Sequence, residues 1–461
     1  GGAAVVGARA PRIEWLYIGV SAIGSGRSNH LTDELTIYDR ALEPSQIEVI
    51  YKRQSYKEER RPVVAEKAKK EDSKNVVIQN RFLKMVFDPS KGGVCTSLTD
   101  KESGKQYTIL NDEPGWPGAL FMDRLWHPEN LFGGLSYSYK LSNTDDKSSV
   151  HLWRRGDKGV IFYLEIHKTI TLFHDRNLVR VDYELKNLPE SFKDMSCGIQ
   201  FHNFLGVKGE DNTYFTPTTE GVKSVNYLYS SGVLPKKANH WYTNPSRGWN
   251  AVIGSSGHGM AFEMEYKYLD CFYNWLGLPV GTQEWMTRKQ LIKSGGSFRT
   301  TYYLYPFKDF SRVDGVFDGL VCALEGDDKF DTGNAISGTG VVRSTVKKSM
   351  ELRLRYRTLP SKEWNDVQQW PLSLEAGATV KKTFSFIPKA PGTVVLNCLV
   401  LEGDREVGSF ERPIIIGKAT GNYVVEPESK RVGVSRYAKA GDAGSEREPG
   451  RPLSTKVPTP H

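Results

Sequence analysis

At 461 residues the chain is long enough for about two to four domains, each with its own core. Hydrophobic residues make up 39%, and 44 glycines raise the apolar share to about 48%, which places the chain among folded globular proteins. The net charge of +8 does not point to nucleic acid: much of it lies in residues 57–74 and in the C-terminal tail, where both signs alternate without regularly spaced aromatics. No run of 18 apolar residues is present, so no membrane span is expected, and no intact signal peptide is visible. The five cysteines, Cys95, Cys197, Cys271, Cys322 and Cys398, form no Cys-x-x-Cys pair and have no histidine at ligand spacing. That pattern argues against a zinc site or a disulfide scaffold, and buried apolar roles are expected, with disulfide status left open.

Residues 12–40 alternate apolar and polar as a strand does, and the stretch from Glu43, with Pro44 in its first turn, has helical spacing. Asp33, Glu34, Leu35, Ile37, Tyr38, Arg40, Ala41, Leu42, Gln46 and Ile47 together resemble the last strand and exit helix of a laminin-G-like, concanavalin-like jelly roll. The resemblance implies that residues 1–56 are the end of a sandwich whose larger part lies upstream, so a longer parent protein is expected. Residues 57–74 are charged and poor in aromatics, the composition of a linker.

From Asn75 the pattern changes to short alternating runs: a strand through Phe82, Leu83, Met85 and Phe87, a Pro-Ser-Lys-Gly-Gly turn, then VHLWRR, LVRVDYELKNL, MSCGIQFHNFL, HGMAFEMEY and FRTTYYLYP. Many strands and no long amphipathic helix predict an all-β fold built on a large antiparallel sandwich. The opening Ile-x-Asn strand with Gly92-Gly93, the turn around Trp126, DYELKNL and GIQFHNFL give residues 75–310 a resemblance to the galactose-mutarotase-like supersandwich. That resemblance implies a fold used by aldose epimerases and by accessory domains of polysaccharide-processing enzymes. After a turn-rich junction, the strands of residues 325–418 recur with the rhythm of an immunoglobulin-like or fibronectin-like sandwich, without a cysteine pair to bridge it. Residues 419–461, rich in Gly, Pro, Ser and charge, read as a disordered tail.

Opening and reclosing a sugar ring needs a base at the C1 hydroxyl and an acid at the ring oxygen. In aldose epimerases a Glu and a His take these roles, and the position-matched residues here are Glu284 in GTQEWMT, His202 in IQFHNFL and His127 in LWHPEN. Phe201-His202-Asn203-Phe204 only approximates the family's histidine motif. On the residues alone His202 reads equally as a core or edge histidine, and Glu284 competes with Glu263 and Glu265. His127 precedes Pro128, which together with the glycines marks DRLWHPENLFGG as a displayed loop.

Tryptophans offer a second line, because sugar C–H faces pack on indole rings while hydroxyls bond polar neighbours. Seven of the ten tryptophans fall in residues 75–310, and Trp116, Trp126, Trp241 and Trp249 sit in Gly-, Pro- or Asn-rich surroundings, so these four are candidate platforms as well as candidate packing residues. Asp123, Arg124, Asn239, His240 and Arg247 are the polar neighbours able to fix hydroxyls. No serine-hydrolase elbow, phosphate-binding loop or His-Glu-x-x-His is present. No cofactor is expected, with calcium at the Gly209–Thr213 turn as the one candidate ion. These readings converge on an exported carbohydrate-binding protein, extracellular or periplasmic, with a catalytic domain in an upstream part. An aldose-epimerase-like isomerase and a set of adhesive cell-surface modules are the alternatives.

Overall fold

The computed structural model divides the chain into two units, residues 1–70 and 71–461. It describes residues 75–434 apart from 111–118, 128, 133–134, 158, 229–238, 278–279, 429–430 and 433. The jelly-roll segment, the linker, Trp116 and the tail beyond residue 434 therefore lie outside the described residues.

The described chain is all-β. It opens with the strands Val76–Gln79, Leu83–Asp88 and Val94–Asp100 in one antiparallel sheet. Alternation sets which side is buried: Leu83, Met85 and Phe87 are fully covered while Lys84 is exposed. The turn that follows is built by its own side chains. The Asp88 carboxylate accepts from the Ser90 amide at 3.0 Å, and Gly92 closes the turn at a φ of 81°, a conformation glycine adopts without cost.

Two larger sheets then face each other. The nine-stranded sheet runs in the order Gly221–Tyr227, Asn212–Thr218, Trp249–Gly254, Gly259–Met264, Ser297–Phe307, Val179–Asn187, Leu164–Phe173, Lys147–Arg155 and Ser138–Asn143. The seven-stranded sheet runs Asn239–Tyr242, Leu269–Gly277, Val280–Thr287, Met195–Phe204, Met122–His127 and Glu129–Leu131, with Gln290–Ile292 also on Met195–Phe204. Val179, Val181, Tyr183 and Leu185 alternate into the space between them. At its centre Trp285 meets Phe201 at 5.3 Å, Phe262 at 4.7 Å and Tyr302 at 5.0 Å between ring centroids, the offset and edge contacts aromatic rings prefer.

Residues 123–127 correct the expected loop. Met122–His127 is a strand paired with Met195–Phe204, and Leu125 is fully buried on its inner side. The phase that buries Leu125 also buries Asp123, whose carboxylate meets the Lys168 ammonium at 2.7 Å and accepts from the Tyr137 hydroxyl at 2.8 Å. Lys168 donates further to the carbonyls of Phe121 at 2.7 Å and Gly92 at 3.1 Å, so this interior pair is satisfied on both sides.

A second sandwich follows. One sheet orders Gly315–Phe317, Leu320–Glu325, Ile336–Ser344 and Thr379–Phe386; the other orders Lys329–Phe330, Arg405–Ile416, Gly392–Glu402, Lys348–Thr358 and Asn365–Leu374. Its core holds Leu352, Leu354, Leu396 and Val400 with the free thiols of Cys322 and Cys398. The two sandwiches also share a core: Phe215, Trp249 and Phe307 of the first pack in one cluster with Val316, Val321 and Val341 of the second. Beside this cluster the buried Arg343 donates from Nε to the Pro306 carbonyl at 3.0 Å.

Residues 419–434 correct the expectation of a tail disordered from 419. They run back along the first sandwich as a strap, with the amides of Val425 and Glu428 donating to Thr219 and Ser246 carbonyls at 2.8 and 2.9 Å. Val432 donates to the Lys267 carbonyl at 2.5 Å, and Val434 forms a two-way bridge with Lys289. Main-chain donors pair in this way whatever the side-chain composition, which is why a segment that reads as part of a Gly-, Pro-, Ser- and charge-rich tail can still be ordered.

Candidate functional site

The seven-stranded sheet carries the candidate site on the side opposite the Trp285 core. In antiparallel sheets directly opposed residues share a side, so the register alone lays out a row. Trp241 opposes Tyr273, Tyr273 opposes Glu284, Glu284 opposes His202, and His202 opposes Met122. The neighbours two positions along, Asn239, Thr282 and Gln200, fall on the same side, and Gln200 opposes Arg124.

At the centre of the row His202 Nε2 lies 3.1 Å from Glu284 Oε1. Both are covered, with 6% and 1% of their surface exposed. The Thr282 hydroxyl donates to Glu284 Oε1 at 2.7 Å, and the Gln200 amide donates to Oε2. Burial, the dominant cause, pushes the Glu284 carboxyl up to about 7, opposed by the Thr282 and Gln200 bonds and by the Arg124 charge. Burial pushes the His202 imidazole down to about 3, with the Arg124 charge acting the same way. The pair therefore takes up its proton near neutrality at the carboxyl and keeps the imidazole uncharged.

Aromatic rings flank the pair. Trp241 and Tyr273 lie 4.2 Å apart between centroids, and the Tyr273 hydroxyl donates to Asn239 Oδ1 at 2.5 Å. Burial holds the Tyr273 phenol above its usual value, with the Glu284 charge adding to it. Towards the other end of the histidine strand the Trp126 indole lies against Gly198, where a Cβ would fall 2.3 Å from indole Cε2, and its Nε1 donates to the Thr287 carbonyl at 3.0 Å. The Lys289 ammonium sits 5.6 Å from the centroid of that indole.

Of the residues singled out from the sequence, His202, Glu284, Arg124, Asn239, Trp241 and Trp126 are carried by this side of the sheet. His127 ends its strand opposite Gly198. His240 is out of phase, opposing the buried Asn274. Three candidates are corrected. Asp123 is committed to Lys168 in the interior. Trp249 is buried in the core shared with the second sandwich. Arg247 lies ahead of the Trp249 strand and donates to the Glu426 carbonyl of the strap at 2.5 Å. Gln200, Thr282 and Tyr273 were not foreseen; spacing of two residues from His202 and Glu284 was the available signal for the first two.

Among the described residues no group of three or more His, Cys, Asp or Glu side chains is gathered to hold a metal. In the turn considered for calcium, Glu210 instead pairs with Lys105 at 2.5 Å, and the Asn212 side chain bonds the backbone at Val207 and Glu210. A cavity of about 530 Å³ lined by Glu220, Asp328, Lys329 and Tyr423 lies between the strap and the second sandwich, lined by none of the residues of the pair.

No protein-family model matches this sequence, and no curated protein matches it. Solved structures similar to part of it include a putative aldose 1-epimerase from Escherichia coli K12, with 12% identity over 51% of this chain and 99% of that one, at a TM-score of 0.36. A galactose mutarotase-like protein from Lactobacillus casei matches with 13% identity over 50% of this chain and all of its own, 100%, at 0.38. An alpha-N-acetylgalactosaminidase from Bifidobacterium bifidum matches with 12% identity over 50% of this chain and 36% of its own, at 0.36.

Proposed function

We propose that this side of the seven-stranded sheet recognises carbohydrate. The observation that carries the reading is the His202–Glu284 pair, 3.1 Å apart, set in one cross-strand row with Tyr273 and Trp241. A sugar offers apolar C–H faces and hydroxyls that both donate and accept. The row supplies the matching partners: rings for the faces, and a carboxyl–imidazole pair with adjacent amide and hydroxyl groups for the hydroxyls. Titrating the full chain with a panel of oligosaccharides, followed by tryptophan fluorescence and calorimetry, tests this. Saturable binding is expected, with Trp241→Ala weakening it tenfold or more, about 1.4 kcal/mol. Neither heat nor fluorescence change with any sugar would overturn the reading and favour an adhesive role.

A second reading, aldose-epimerase-like isomerisation with Glu284 as base and His202 as acid, draws on the carboxyl being pushed up to about 7, close to the working range of a general base. Against it stands the 3.1 Å contact: acid and base are bonded to each other, whereas ring opening needs one at each of two substrate oxygens. Polarimetry on fresh α-glucose and α-galactose separates the readings. Acceleration that vanishes in Glu284→Gln would favour the isomerase.

A further inference from the structure

We propose that Lys289 determines specificity at the Trp126 end of this surface, selecting sugars that carry an anionic group, and that the C-terminal strap is what holds it there. The inference rests on the carbohydrate-recognition reading and names the substrate class for it.

Lys289 lies in the connector between the strands Val280–Thr287 and Gln290–Ile292. Its ammonium stands over the Trp126 ring at 5.6 Å, and among the described residues no carboxylate pairs with it. An ammonium over an indole face is held by the ring quadrupole without being neutralised, so its full charge remains to be offered to a ligand. The indole beneath is itself fixed, packed on Gly198 and bonded to the Thr287 carbonyl at 3.0 Å. A sugar ring resting at Trp126 would thus meet a positive charge at its edge. Two acids belong to this side of the sheet: Glu129, which opposes Trp126 in the register, and Glu284, which is buried and loses its proton only as the pH rises through about 7, so that Glu284 opposes a negative ligand weakly.

A two-residue connector, Arg288 and Lys289, does not by itself hold a long flexible side chain in place. The strap supplies the constraint. The Lys289 amide donates to the Val434 carbonyl at 3.1 Å and the Val434 amide donates back at 3.3 Å. The Gln290 side chain donates to the Val432 carbonyl at 3.3 Å, and Arg431 donates to the Asp270 carbonyl at 2.9 Å. On its other flank the connector is tied by the Arg288 amide to the Tyr268 carbonyl at 2.8 Å. These bonds fix the backbone from which Lys289 reaches Trp126, so the strap acts as a positioning element.

The test measures affinities of the full chain for matched oligosaccharides: neutral, carboxylate-bearing (an oligogalacturonate) and sulfate-bearing. An acidic sugar is expected to bind about tenfold or more tightly than its neutral match, with an affinity that falls as salt rises. The arm that binds better identifies the carboxylate or the sulfate as the natural group. Lys289→Gln should bring the acidic-to-neutral ratio close to one and flatten the salt dependence. Val432→Pro with Val434→Pro removes the two strap amide donors nearest the connector while leaving the Lys289 side chain itself unchanged, and should lower the same ratio while far-UV circular dichroism stays unchanged. Equal affinity for neutral and acidic sugars, or a ratio and salt dependence untouched by Lys289→Gln, would overturn this inference and leave carbohydrate recognition standing. Binding of no sugar at all would overturn both.

Discussion

Removing the Glu284 carboxyl should expose, between pH 4.5 and 6.5, an acid sensitivity of His202 that the intact pair cancels. In the unfolded chain His202 takes up its proton near 6.5 and Glu284 near 4.5; in the folded chain the values are about 3 and about 7. Between pH 4.5 and 6.5 the unfolded pair therefore holds one proton, on His202, and the folded pair holds one, on Glu284. Equal proton counts give no slope, so in this window the pair leaves stability flat. In Glu284→Gln the histidine acts alone. Its folded value is depressed, so its contribution is complete above about 6.5 and is lost as the pH falls towards 3, in all about 5 kcal/mol at about 1.36 per unit, of which about 3 falls in the flat window of the parent. In His202→Gln the raised carboxyl acts alone. Its contribution is complete below about 4.5 and is lost as the pH rises through about 7, about 3 kcal/mol in the opposite direction. Urea unfolding at half-unit steps from pH 4 to 7.5, with each variant compared to the parent, measures both slopes. Slopes of the same sign in the two variants, or two flat profiles, would show that the pair does not exchange its proton between folded and unfolded states as described.

Gly198→Ala would put a methyl 2.3 Å from the Trp126 indole, forcing the ring off its seat. A shifted emission spectrum and about tenfold weaker glycan binding are expected, and unchanged values of both would contradict the role given to that packing. Asp123→Asn strands the Lys168 ammonium in the interior and should cost about 3–5 kcal/mol by urea unfolding, with much of the loss recovered in Asp123→Leu with Lys168→Met. All five cysteines are free and buried, and burial pushes the Cys95, Cys197 and Cys398 thiols up to about 12. A thiol reagent should find none of them in the native protein and all five in denaturant, and a native thiol reacting within seconds would contradict the burial.

Strand character was legible because alternation such as that of Val179–Asn187 follows directly from one side facing the core. What alternation leaves undetermined is phase. Asp123 and Arg124 are adjacent polar residues on one strand, and nothing local says which of them turns inward; the partner that settles it, Lys168, is 45 residues away. Trp249 did carry a warning, since WNAVIG is apolar almost throughout, the mark of a strand covered on both sides, and all six of its residues are buried. His202 and Glu284 were singled out by resemblance to a family motif, but their opposition depends on a register set by long-range pairing, beyond the reach of spacing. The strap escaped because its bonds run through main-chain groups, which composition does not report.

The core shared by the two sandwiches decides how the chain can be divided. A cut after Phe310, where residue patterning alone suggests a domain end, would strip Val316, Val321 and Val341 from Phe215, Trp249 and Phe307 and uncover a continuous apolar face. It would also take away the strap that reaches Lys289. The first sandwich is thus not a portable module. It travels with its C-terminal neighbour, and a fusion or fragment that keeps residues 75–434 together retains both the shared core and the strap bonded to Lys289, whereas a shorter piece trades them for a sticky face.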